Sequence, residues 1–315
     1  MRHVEVTVRP VRSGDIEGMT RVILAARGFA GAALDRQVQG DLARFRQQGL
    51  VERIERDALV AVLDGELIGV MRYGEFNGEA HLSRPEVDPL ASQEAVTRAF
   101  LRALWPSLDP ETERAVFIDY PHAGGLLGDL FVRNGFAKLV DRLDMRLNLQ
   151  KVEGASAKPL YFASYSAGNH DRFFQAFKDS FQGSLDPMMA WDAAHPEESF
   201  TLFRDGFGRF EPDLWVLATD EEGRDVGFAM FQPFAGGRYG GDVVLLYTGV
   251  IPEARGEGYG AEIVREGLRR ILKSRGVGAA VSLTVSKPNR PAQAIYERLG
   301  FLPTEAFSVY RGFRA

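Results

Sequence analysis

The 315-residue sequence contains no cysteine. That excludes disulfides, thiolate metal ligands and a cysteine nucleophile. Histidine is scarce, five in all, and neither His170 nor His195 has partners at a spacing that suggests a metal site or catalysis, so no metal is expected. Positive charge is not in excess. Lys and Arg number 38 against 43 Asp and Glu, a net charge of −5, which argues against general nucleic-acid binding. No apolar run approaches the roughly 20 residues of a membrane helix. The start, Met1-Arg2-His3-Val4-Glu5-Val6, lacks the apolar core of a signal peptide, so a cytoplasmic, membrane-free protein is expected. What is present is ordinary globular composition, 45% hydrophobic and 26% charged, in a chain long enough for two domains.

Along the chain, Val4 to Val11 alternates as a strand. Ser13 or Asp15 caps a helix with Ile16, Met19, Val22 and Ile23 on its apolar side. Leu34 to Ile54 reads as one or two further helices. Ala58 to Leu63 and Leu67 to Tyr73 flank Asp64-Gly65-Glu66, a hairpin signal. Glu79 to Val87 reads as a strand, Ala91 to Trp105 as a helix, Ala115 to Tyr120 as a strand, Leu126 to Val132 as a helix and Leu139 to Leu149 as a strand. Glu153 to Lys158 is small and polar, a linker. The pattern then restarts with a strand at Leu160 to Ser166, a helix at His170 to Phe181 and a hairpin, Asp213 to Thr219 with Asp225 to Phe231. The aromatic-rich stretch from Phe173 to Phe210 is either core or pocket lining.

The most informative stretch follows. An apolar run from Val243 ends in Thr248-Gly249-Val250. Pro252 stops a regular ladder, and Arg255, Gly256, Gly258 and Gly260 fall within six residues. Beyond Gly260 the pattern is helical, with Ile263, Val264, Leu268, Ile271 and Leu272 on one face and Gly276 as C-cap. Glycines permit positive φ and close approach to the backbone. The first N–H groups of the helix at Ala261 lack helical partners and sit at the positive end of its dipole, an anion site. Arg255 adds a forked charge suited to phosphate. A diphosphate is the natural ligand. Gly256-x-Gly258-x-x-Ala261 also fits a dinucleotide-binding fingerprint formally. Against that, Pro252 to Arg255 separate strand from glycines, and the next strand ends in Ser286-Lys287-Pro288 rather than an acid.

A second block, Asn289-Arg290-Pro291-Ala292-Gln293-Ala294-Ile295-Tyr296-Glu297-Arg298-Leu299-Gly300-Phe301, completes the picture. The two blocks together resemble the GNAT N-acetyltransferase superfamily, with Arg255, Gly258 and Gly260 on its R-x-x-G-x-G signature and Asn289, Tyr296 and Gly300-Phe301 on its second pattern. The resemblance implies an α+β (α/β) fold, two tandem domains each with a mixed, mostly antiparallel sheet flanked by helices. It implies acetyl-CoA held by Thr248, Gly249, Val250, Arg255, Gly256, Glu257, Gly258, Tyr259, Gly260, Ala261 and Asn289. In that family the strands before the loop and after the helix, here Val243–Val250 and Ala279–Val285, splay to admit the pantetheine arm. The Val250 N–H then faces the thioester carbonyl, Tyr296 is the general acid, and a small-molecule amine attacks directly. Deprotonating the amine calls for a carboxylate or water relay. Asp242, at the head of the strand leading to Val250, is the first candidate, with Glu211 and Asp213 behind it. A non-catalytic acyl-CoA sensor of the same fold is the alternative to an enzyme, and either a monomer or a homodimer fits.

The halves also look like copies. Asp57-Ala58-Leu59 parallels Asp213-Leu214-Trp215, Val87-Asp88-Pro89 parallels Val250-Ile251-Pro252, and Arg133-Asn134-Gly135-Phe136 parallels Arg298-Leu299-Gly300-Phe301. Pro89 precedes Gly135 by 46 positions and Pro252 precedes Gly300 by 48. The first copy lacks the chemistry. Ser92, Gln93, Ala95 and Thr97 stand for Arg255, Gly256, Gly258 and Gly260, while Phe131 stands for Tyr296 and Gly124 for Asn289. The expected organisation is therefore a degenerate domain without a cofactor site over 1–152, a linker at 153–158 and a catalytic, acetyl-CoA-binding domain over 159–315. The N-terminal half either helps to complete the acceptor pocket or is a structural partner only. The tandem layout resembles the mycothiol synthase type of double acetyltransferase, although Val244 stands where that type carries an acid.

Overall fold

The computed structural model describes residues 5–47, 57–76, 78–120, 127–152, 159–234 and 239–314. The first half of the chain runs β1 (Thr7–Pro10), α1 (Ile16–Ala26), α2 (Gly31–Gln47), β2 (Ala58–Leu63), β3 (Glu66–Phe76), β4 (Glu79–Leu82), β5 (Glu86–Val87), α3 (Gln93–Ser107), β6 (Arg114–Asp119), α4 (Gly128–Arg133) and β7 (Phe136–Asn148). The second runs β8 (Tyr161–Ser164), α5 (His170–Asp179), α6 (Ala190–Ala194), α7 (Pro196–Thr201), β9 (Trp215–Thr219), β10 (Asp225–Pro233), β11 (Val243–Val250), α8 (Tyr259–Arg275), β12 (Ala280–Ser286), α9 (Arg290–Arg298) and β13 (Leu302–Phe313). The β2–β3 hairpin turns on Asp64 and Gly65, both at positive φ (51° and 85°), as its tight two-residue loop demands. Ser92 caps α3 by accepting the Ala95 N–H, and Asn289 caps α9 by accepting that of Ala292. The strand expected from Glu79 to Val87 divides at Pro85, which has no N–H for a ladder. The expected linker and Gly124 lie outside the described residues.

The chain forms two compact units, Met1–Leu139 with Phe307–Ala315, and Val140–Ala306. The first contains a sheet in the order β1-β2-β3-β4-β6-β13, antiparallel except for β4 with β6. The second contains β8-β9-β10-β11-β12-β7, antiparallel except for β11 with β12. The two orders are equivalent, which is the structural form of the sequence repeat. The last strand of each copy, however, completes the other copy's sheet. β7, from the N-terminal half of the sequence, pairs with β12, and the C-terminal β13 pairs with β6. The unit boundaries therefore fall inside β7 and β13 rather than at the 153–158 segment. Periodicity marks a strand but is silent on its partner.

In the second unit, α8 covers one face of the sheet through Ile263, Val264, Leu268 and Ile271, which pack with Phe231 and Val281. On the other face Phe173, Phe177, Phe200, Trp215 and Phe228 form a fully interlocked aromatic core, with Phe177 and Phe200 edge-on at 5.3 Å. Each such burial contributes roughly 1.5–3 kcal/mol. The choice left open for the Phe173–Phe210 aromatics is thus decided in favour of core. A single parallel pair in an otherwise antiparallel sheet is not a doubly wound Rossmann sheet, so the dinucleotide-binding oxidoreductase alternative is excluded.

Candidate active site

The site starts from an interruption in β11. Opposite β10, Met230 faces Tyr247 and Phe231 faces Leu245, so Leu246 is an extra residue, a bulge. Opposite β12, the parallel pairing covers only Val243–Leu245 with Val281–Leu283 and then stops, although β11 continues to Val250 and β12 to Ser286. The two strands part beyond Leu245 and Leu283. A cavity of about 730 Å³ occupies the opening, lined by both strand ends, the glycine loop, and the start of α9. Ile251 donates its N–H to Val226 O. Because successive strand residues direct their N–H groups to opposite edges, the Val250 N–H faces the gap.

The loop is shaped for close approach. Gly256 and Gly258 have φ of 84° and 86°, and a Cβ at either would meet nothing within 4 Å. Gly258 is the N-cap of α8 and brings no capping side chain, but its carbonyl accepts the Ala261 N–H at 3.3 Å, so the donor expected there is already partnered. Gly260 faces Ile295 and Val250, whose side chains would lie 3.2 and 3.5 Å from an added Cβ. At Gly249 an added Cβ would overlap Ser180. Arg255 does not reach outward as a free cation. Its Nε donates to Val250 O (3.1 Å) and its Nη2 to Ser180 O (3.0 Å), tying the loop to the strand end and to the segment after α5. Thr248 donates to Phe228 O (2.8 Å).

Tyr296 lines the same cavity from α9 and is 7% exposed. Its hydroxyl has no hydrogen-bond partner within the described residues. Burial, with smaller contributions from Tyr247 and Asp186, pushes that hydroxyl well above the ordinary phenol pKa. Tyr247 is also raised, to about 12, chiefly by burial, but its hydroxyl pairs with Ser180 Oγ at 3.2 Å.

Of the expected site residues, Thr248, Gly249, Val250, Arg255, Gly256, Gly258, Tyr259, Gly260, Asn289 and Tyr296 meet at this cavity. Ala261 lies in the first turn of α8. Glu257 instead lines a second cavity, of about 570 Å³, with Glu253 and Asp220–Glu222. Asp242 is not brought to Tyr296. It is buried in a third cavity, paired with Arg146 (2.8 Å) and bonded by Ser282. Position at the head of β11 does not carry a residue to the splayed end, since a strand rises about 3.3 Å per residue. Glu211 is committed to Arg209 and Arg275. Two charged residues of the cavity wall escaped the sequence reading, Arg142 on β7 and Asp186 after α5. Arg142 comes from the N-terminal half of the sequence, and no local signal announces it. The Asp186-Pro187 pair, with its capping aspartate, was the one available cue.

The equivalent place in the first unit is filled by its own side chains. Gln93, standing for Gly256, donates to Pro85 O (3.2 Å). Asp119 is fully buried, accepts the N–H groups of Leu127 and Gly128 (both 2.8 Å) and pairs with Arg84. Phe131, standing for Tyr296, stacks on Phe117 at 3.7 Å.

A splayed parallel pair, an open glycine loop at a helix N-terminus and a buried tyrosine meet at one cavity. Residues 171–301 match the model of the Acetyltransferase (GNAT) family, and this stretch is a GNAT acetyltransferase domain. The chain is 39% identical over 105 residues to a mycothiol acetyltransferase of Saccharomonospora viridis, covering 32% of this chain and 34% of that one. It is 27% identical over 260 residues to one of Clavibacter michiganensis, covering 79% and 77%. The match thus spans about a third of the first relative's length. Among solved structures, a GCN5-related N-acetyltransferase from Sphaerobacter thermophilus aligns over 98% of this chain and 95% of that one (TM-score 0.62, 19% identity). A tandem GNAT protein from the clavulanic acid biosynthesis pathway aligns over 98% of both (TM-score 0.55, 14% identity). These likenesses establish the tandem GNAT fold. Among the described residues no helix is long and apolar enough to cross a membrane.

Proposed function

We propose that the second unit transfers an acetyl group from acetyl-CoA to the amine of a small molecule by direct attack, and that the first unit holds no acyl-CoA. The observation that carries this reading is the end of β11–β12 pairing at Leu245 and Leu283. The unpaired strand edges it leaves have backbone groups to offer the amides of a pantetheine arm. The fit extends to the loop, where positive-φ glycines with no neighbour for a Cβ admit a diphosphate to the positive end of the α8 dipole. Acetyl-CoA, when bound, supplies the activated acyl group. The chain's own residues do the rest. The Val250 N–H is a fixed donor for developing charge on an oxygen, Asn289 and the loop amides hold the ligand, and the Tyr296 hydroxyl, kept protonated by burial, donates a proton to the departing sulfur. The relatives named mycothiol acetyltransferase place mycothiol-type amines on the acceptor panel beside amino sugars and amino acids.

The test is calorimetry with acetyl-CoA and with NADH, followed by a free-thiol assay across the amine panel. Saturable acetyl-CoA binding at one site per chain with amine-dependent thiol release is expected. Binding of NADH instead would end the reading. Binding of acetyl-CoA with no turnover on any amine would leave a sensor. Two sites per chain would overturn the inactive first unit.

A further inference from the structure

Direct attack needs a group that receives the acceptor's proton, and the position first suggested for it, Asp242, faces another cavity. We propose that Asp186 holds the acceptor amine at the splayed strands and takes its proton as the new N–C bond forms, with Arg142 as the residue that positions it. The inference rests on the acetyltransferase reading above.

Among the described residues, Asp186 is the one carboxylate lining the 730 Å³ cavity. Asp144 and Asp242 line the third cavity, and Glu253 and Glu257 the second. Asp186 is also held in place. Its Oδ1 accepts from Ser286 Oγ at 2.6 Å and from the Met188 N–H at 3.0 Å. Ser286 is the last residue of β12, and Met188 lies in the one-turn helix Pro187–Met189 that Asp186 caps, so the carboxylate is anchored to both segments. Its Oδ2 meets only the distal guanidinium nitrogen of Arg142, at 3.4 Å, which leaves that oxygen with lone pairs to spare. The Arg142 Nε is buried without a partner, and the side chain is no more than 18% exposed. Asp186 and Tyr296 line the same cavity, and the charge of Asp186 bears on Tyr296 and, with Asp192, on Tyr247. The carboxylate and the phenol proposed as general acid thus share a single chamber.

The chemistry balances with these two groups. The acceptor enters as an ammonium and loses its first proton to solvent. The lone pair of the neutral amine forms a bond to the thioester carbonyl carbon, and the C–S bond breaks. The nitrogen gives its second proton to Asp186, and the sulfur takes the Tyr296 proton. Solvent then removes the proton from Asp186 and restores that of Tyr296. A carboxylate is a poor base toward a free alkylammonium of about 10. It is competent toward the much more acidic nitrogen already bonded to the acyl carbon. An anchored carboxylate also selects a primary amine over a neutral alcohol of the same shape.

The experiment compares wild type with Asp186→Asn and Asp186→Glu in the full chain, using the best acceptor of the panel. Asn keeps the volume and an oxygen for the Met188 N–H. For Asp186→Asn we expect kcat/KM for the amine to fall roughly 100-fold, with acetyl-CoA affinity and Tm near wild type. Asp186→Glu should recover part of the loss. Amine kcat/KM within threefold of wild type in Asp186→Asn would overturn the proposal. So would a loss of acetyl-CoA binding and Tm in parallel with activity, which marks a structural role, or equal losses in the Asn and Glu variants. If wild type itself fails to bind acetyl-CoA, the functional reading fails first and this inference with it.

Discussion

Replacing Tyr296 by phenylalanine removes one oxygen and no hydrogen bond. The ring remains 93% buried beside Phe301, 5.9 Å away between centroids. The hydroxyl borders the cavity and makes no hydrogen bond within the described residues, so Tyr296→Phe should change stability by no more than about 1 kcal/mol. Catalysis should respond quite differently. A general acid contributes about 10²–10⁴-fold, which is about 2.7–5.4 kcal/mol of barrier at about 1.36 kcal/mol per tenfold. The loop, the N-terminus of α8 and the strand edge are untouched, so acetyl-CoA affinity should stay within about threefold, or about 0.65 kcal/mol. The assay is threefold: thermal denaturation for stability, calorimetry for acetyl-CoA, and thiol release for kcat. A lowered kcat with unchanged affinity and little change in Tm is the expected pattern. If kcat falls less than threefold, or falls only as far as acetyl-CoA binding does, Tyr296 is not the acid and the site must protonate sulfur from elsewhere.

Three further outcomes follow from the geometry. Gly258→Ala places an L-residue at φ 86°, a strain of about 1–2 kcal/mol, and should weaken acetyl-CoA binding about tenfold, whereas Gly260→Ala, with only movable side chains at 3.2 and 3.5 Å, should keep its Tm; calorimetry and melting of the pair check the ranking, and a reversed order would refute it. Gly267→Ala drives a methyl into the Phe231 ring and should cost roughly 1–3 kcal/mol in chemical denaturation; a neutral result would mean that α8 shifts freely on the sheet. Burial pushes the Glu79 carboxyl up, but His81, Arg311 and Arg114 outweigh it and hold the group below its ordinary 4.5. Its stabilisation is therefore complete above the unfolded-state value and lost as pH falls through the lower folded value. Denaturation from about pH 6 to about pH 3 should show a loss that Glu79→Gln lacks, and parallel pH profiles would remove Glu79 from the account.

The legible part of this protein was local chemistry. Gly256, Gly258 and Gly260 announce a loop because only glycine takes positive φ without strain, and the period of Ile263, Val264, Leu268 and Ile271 announces the helix behind it. The β2–β3 hairpin was visible in Asp64-Gly65 for the same reason. The repeat was readable as matched turns and prolines, and in its first copy Gln93 bonds Pro85 O and Phe131 stacks on Phe117. Tertiary structure alone decided what lies far apart in sequence. Strand pairing is made by backbone groups that every residue carries, so no side-chain pattern told that β7 would complete the second unit's sheet and β13 the first's. That exchange puts Arg142 in the cavity wall beside Asp186, while Asp242, near in sequence to Val250, is carried into another cavity. Local propensity chooses the elements. Which of them meet, and hence which carboxylate lines the tyrosine's cavity, is set by where the whole chain buries its apolar faces.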